Sequence, residues 1–186
     1  MKSHFSIGLQ ALVVMAIVLL AFKLASMASE SEAIISIITS YGYIGILFLS
    51  IISGFNLAVP IPIVTFVPLF IESGLSMTLT VLIISIGMTI GDMFGFLLGK
   101  LGRNATNVET VKFFRKVEKL GERHYLLPIV AMFFYASIMP FPNEVLVIPL
   151  AFLGYKVRHV FIAVLLGNMI FNTLVGFGLT ELFIFL

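Results

Sequence analysis

Three stretches, at 5–27, 76–99 and 159–186, are apolar for about 20 residues or more, and runs of that kind leave a chain few choices. A hydrocarbon core about 30 Å thick takes roughly 20 apolar residues per spanning helix. Only helices and closed barrels satisfy their backbone groups in lipid, and these runs have the length of helices, not of barrel strands. With 60% of its 186 residues hydrophobic, 11% charged and a mean hydropathy of +1.17, the chain is expected to be an all-α integral membrane protein. The first run starts basic and ends among small residues, as a signal peptide does, but it is longer than a usual signal core. An uncleaved anchor over 1–32 is therefore the expectation.

Charge sets the expected topology. Seven of the 11 Lys and Arg residues lie between 100 and 123 (Lys100, Arg103, Lys112, Arg115, Lys116, Lys119, Arg123), and Lys156 and Arg158 occupy a later turn. The positive-inside rule puts both segments in the cytoplasm, with the N-terminus, and puts the acidic "SESE" and "IESG" outside. A multi-pass protein of the plasma (inner) membrane follows. Val108, Val111, Phe114, Val117 and Leu120 make one apolar face in a basic stretch, 100–124, which predicts an amphipathic helix at the cytoplasmic interface or a solvated connector.

Sliding the sequence by 80 residues brings Pro60 onto Pro140, Pro62 onto Pro142, Gly74 onto Gly154, Gly87 onto Gly167 and Asp92 onto Asn172. Two repeats, 33–99 and 125–186, flank the basic segment. The first enters its paired segment from outside and the second from the cytoplasm, so the repeats are inverted, an arrangement known from transporters. Each X-Pro-X-Pro unit removes two backbone donors and breaks helical geometry. The segments 34–72 and 125–153 are tight for two spans of roughly 20 residues plus a turn. The expected architecture is an inverted repeat in which each half is a re-entrant helical hairpin plus a transmembrane helix, with an extra N-terminal helix. Two complete spans joined by a proline turn are the alternative.

Polar residues at membrane depth are the functional candidates, since an Asp at a helix centre costs about 2.5–3.5 kcal/mol on insertion scales. Asp92 sits beside a stripe of Gly87, Gly91, Gly95 and Gly99, which suits close helix packing within the chain or in a homodimer. Its expected partners are Asn168 or Asn172. In "PFPNEV", Asn143 is placed to cap a helix starting at Glu144. The same helix start offers backbone N–H groups to an anionic headgroup, and a carboxyl there can couple movement of that anion to protons. In the first tip, "FNLAVPIPIVTF", only Asn56 and Thr65 carry hydrogen-bonding side chains.

The segments "FNLAVPIPIVTFVPL" and "PFPNEVLVIPLAFLG", with the helix "GDMFGFLLGKLGR", resemble the proline-hairpin and Gly/Asp-rich regions of DedA proteins, the bacterial branch of the VTT-domain (SNARE-associated Golgi protein) superfamily. The resemblance runs from about Tyr41 to Gly178. It implies two opposed re-entrant hairpins and movement of lipids such as undecaprenyl phosphate or phospholipids between leaflets, with no cofactor. The chain departs from the family where Phe55 and Val64 replace acidic residues, and where no arginine precedes Pro140. Anion capture would then fall to the backbone at Asn143 and Glu144, or to Arg158 and Arg103.

Two further function classes are a small-solute or ion transporter using Asp92 and Glu144, and a membrane assembly or adaptor protein. The chain has no cysteine, and His4, His124 and His159 are too scattered for a zinc site. With no Ser/His/Asp set and no phosphate loop, an enzyme is not expected. Neither is a nucleic-acid partner.

Overall fold

The computed structural model describes Lys23 and residues 32–55, 63–103 and 112–185, which are helical with no strand among them. In order come α1 (Glu32–Gly54), a 3₁₀ turn (Ile63–Phe66) running into α2 (Val67–Glu72), α3 (Met77–Gly102), α4 (Lys112–Arg123), α5 (Leu127–Ile138), α6 (Glu144–Phe152) and α7 (Val157–Phe185). The rest of the anchor segment, and Asn56, Pro60 and Pro62 of the first tip, lie outside the described residues.

Helix length separates the elements into two kinds. α3 and α7 are long and apolar enough to cross a membrane. α5 and α6 have 12 and 9 residues, about 18 and 14 Å at roughly 1.5 Å per residue. α1 has 23 residues but breaks at Gly42, whose φ of 48° and ψ of −136° lie outside helical geometry. α5 stops for a local reason. Pro140 disfavours helical geometry in the residue before it, and Met139 is extended at φ −87°, ψ 124°.

The two short-to-long helix corners are one backbone device built twice. Gly74 and Gly154 have φ of 88° and 86°. At the first corner Gly74 N–H donates to Ile71 O (2.9 Å) and Leu75 N–H to Phe70 O (3.1 Å). At the second, Gly154 N–H donates to Ala151 O (3.1 Å) and Tyr155 N–H to Leu150 O (3.0 Å). Each is a Schellman cap, with glycine in the left-handed conformation that an L side chain adopts only at a cost. Gly74→Ala meets open space, so its expected cost is the conformational one, about 1 kcal/mol. A methyl at Gly154 would also meet the Arg103 guanidinium. That group is the free end of a flexible side chain, so thermal unfolding should show similar losses for the two variants.

Glycines let α3 serve two partners. A methyl at Gly87 would strike Ser50 Cβ at 2.5 Å, and one at Gly91 would fall on the backbone of Ile51 and Gly54, so this part of α3 lies against α1. Gly95 meets Glu144 Cγ at 2.7 Å and Gly99 meets Ile148 and Ala151, so the next part lies against α6. The stripe expected to be one face is divided between α1 and α6. Two buried clusters follow the same interlock. One joins Ile46, Val64, Val67 and Ile84 with Phe171 and Val175 of α7 packed on it, and the other joins Met132, Val147, Leu150 and Val164 with Phe96 of α3.

α4 turns Val117 and Phe114 inward, with Val117 buried and the Phe114 ring 5.0 Å from that of Phe152, while Leu120 on the same face is exposed and Val108 and Val111 lie outside the described residues. Arg115, Lys116 and Lys119 are exposed.

Candidate functional site

Where the second proline tip reaches α3 and α7, polar side chains gather in an otherwise apolar interior. Asp92, Asn143, Glu144, Asn168 and Asn172 are all buried. Asn143 follows the Pro140–Pro142 turn, which is braced by Tyr135 Oη donating to Pro142 O at 3.3 Å. The Asn143 side chain does not cap α6 as its position suggested. Its Nδ2 donates instead to Asp92 Oδ2 (2.9 Å) and Asn168 Oδ1 (3.0 Å). Tertiary partners outcompete the local cap because a buried carboxylate gains more from an N–H donor than a helix end does.

Asn168 Nδ2 completes the join, donating to Asp92 Oδ2 (3.0 Å) and Thr89 Oγ1 (3.1 Å). Of the two asparagines expected beside Asp92, Asn168 is the one bonded to it. Asn172 is one turn further on and donates to Ser85 Oγ (3.1 Å) and Met88 Sδ (3.6 Å). The bonds therefore pair rising numbers on α3 with falling numbers on α7, so the two long helices cross antiparallel. They are also reciprocal. The residue 80 before Asn172 is Asp92 and the residue 80 after Met88 is Asn168, so the pairs Asn172–Met88 and Asn168–Asp92 exchange under the sequence offset.

Ser85 and Thr89 were not expected in this set. Each gives its hydroxyl hydrogen to the carbonyl four residues earlier, Val81 O at 2.7 Å and Ser85 O at 2.7 Å, which leaves the hydroxyl oxygen to accept from an asparagine. Their spacing of four and three residues from one another and from Asp92 puts all three on one helix face, a signal present in the sequence.

Glu144 packs its Cγ on Gly95, three residues beyond Asp92. Pro140 is exposed and Pro142 half-buried, so the tip runs from the surface of the protein to its interior within four residues. Arg103 and Arg158 are elsewhere, at the α6–α7 corner, a helix length from the tip. The Arg103 guanidinium lies over Gly154, and Arg158 is exposed. The nearby Tyr125 and Tyr155 rings stack at 5.0 Å, and burial, with the adjacent Tyr125, raises the Tyr155 hydroxyl pKa. The two arginines are not part of the tip cluster.

Among the described residues, no group of three or more His, Asp or Glu side chains is placed to hold a metal ion. Comparison with family models, curated proteins and solved structures gave no match.

Proposed function

We propose that this chain is an inverted-repeat membrane protein that moves lipids with polar headgroups between leaflets, in the manner expected of a DedA-like translocase or scramblase. The observation that carries the proposal is the second tip. Met139, Pro140 and Phe141 are exposed, and Asn143 and Glu144 immediately after them are buried on the Asp92–Asn168 join. In a bilayer that boundary sets a polar interior directly behind the lipid-facing turn, within reach of a headgroup whose acyl tails stay in the hydrocarbon. Short arms support re-entrant hairpins, because neither α5 nor α6 has the roughly 20 residues of a full span. The twice-built corner and the reciprocal α3–α7 pairs support the inverted repeat, since a two-fold relation makes contacts reciprocal.

The enclosed part of the site, with two carboxyls, also suits a small-solute or ion transporter. Reconstituted vesicles separate the two. With fluorescent lipid in both leaflets, an external quencher removes about half the signal from sealed protein-free vesicles, and a translocase exposes the protected half as well. Accelerated loss of that half is the expected result. Unchanged lipid exchange together with ion-driven uptake of a soluble solute would overturn the lipid proposal.

A further inference from the structure

We infer that the seam between α3 and α7 binds a compact cation, taken up at Asp92 Oδ1, with Asn172 Oδ1 a further unpartnered acceptor along it. The asparagine donors are all committed: those of Asn143 and Asn168 to Asp92 Oδ2, Asn168 Oδ1 and Thr89 Oγ1, and those of Asn172 to Ser85 Oγ and Met88 Sδ. The hydroxyl hydrogens of Ser85 and Thr89 go to main-chain carbonyls. What remains is acceptors. Asp92 Oδ1 and Asn172 Oδ1 are buried, and neither has a hydrogen-bond partner. Asn172 follows Asn168 by one turn of α7, so both acceptors belong to the same α3–α7 seam.

Among the described residues, the stretches that form the seam carry no positive side chain to meet them. Residues 77–99 of α3, 127–152 from α5 to α6 and 160–185 of α7 contain no lysine, arginine or histidine. A buried carboxyl is met by a counter-charge, by donors on both oxygens or by its own proton, and a bound cation favours the ionised form. Hard oxygen acceptors suit a sodium-sized ion, and they equally suit the primary ammonium of a lipid headgroup, which brings N–H donors. The chemistry is opposite in sign to the anionic headgroup expected at this tip. The inference shares its site with the translocase proposal, but it is read through ligand-dependent stability and not lipid exchange, so the two can fail separately.

The test uses the full chain in detergent at fixed pH and ionic strength. Choline chloride, whose ammonium is bulky and has no N–H, is replaced stepwise by sodium chloride in one arm and by ethanolamine hydrochloride in the other. The expected result is a melting temperature higher by about 5 °C or more, near a hundredfold excess over the dissociation constant, in at least one arm. Asp92→Asn should abolish the rise. A rise with sodium alone identifies an ion site, and a rise with ethanolamine alone a headgroup site. Equal melting in all three salts, as when a buried water alone fills the seam, overturns the inference whether or not the variant folds. So does an undiminished rise in Asp92→Asn.

Discussion

Leucine at position 91 is expected to prevent the chain from reaching its folded state. Even the first carbon of a side chain there would lie on the backbone of Ile51 and Gly54, where no rotamer change can make room. α1 and α3 would have to separate along their whole contact. Gly54 in turn lies on the backbone of Met88, so each helix presents a glycine to the other. Overpacking a well-packed interior typically costs 1–3 kcal/mol when side chains can adjust, and here the backbone must move, so a loss of about 3 kcal/mol is expected from alanine alone. Leucine should exceed the roughly 5–15 kcal/mol margin of a typical domain when its remaining atoms are added. Yield and thermal unfolding in detergent check both variants. A Gly91→Leu protein that melts like wild type would show that α1 does not lie on α3.

Asn143→Ala is expected to have the next largest effect, and on function as well as stability. The substitution removes both donors that tie the tip to the interior, leaving Asp92 Oδ2 with only its bond from Asn168 and taking the donor from Asn168 Oδ1. A hydrogen bond to a charged group contributes about 1.5–3 kcal/mol net, and a stranded buried acceptor costs about 1–3, so a loss near 3 kcal/mol is expected in denaturant unfolding. Lipid exchange should lose its acceleration, because the tip is no longer fixed to the α3–α7 join. Val145, two residues on and exposed, is the control: Val145→Ala should stay within about 0.5 kcal/mol of wild type. Equal effects at the two positions would place the importance of the tip in its chain path and not in the asparagine.

Much of this organisation was legible in sequence because it depends on backbone rules. Pro140 ends α5 by steric exclusion, Gly74 and Gly154 mark caps that need a left-handed residue, and unbroken apolar length marks α3 and α7. The break at Gly42 was not legible, since nothing near it distinguishes a glycine that kinks from one that packs. Side-chain partners were harder still. Asn143 sits at an ideal capping position and yet turns away, because Asp92, 51 residues distant in sequence, offers a better acceptor. The glycine stripe announced close packing but could not say that two helices would share it. Ser85 and Thr89 were overlooked because hydroxyls in apolar helices usually satisfy their own backbone, as these also do.

The central claim is that a polar tip of this protein sits deep in the bilayer, and the absence of any cysteine makes it directly measurable. A nitroxide attached at Phe141→Cys, an exposed position on the tip, can be read by its relaxation with oxygen, which concentrates in hydrocarbon, against a water-soluble nickel chelate. Relaxation dominated by oxygen, at a depth near the bilayer centre, is expected for this label, with Lys116→Cys on α4 dominated by the chelate. A Phe141 label as accessible to the chelate as the α4 label would put the tip at the membrane surface and contradict the re-entrant hairpin on which the translocase rests.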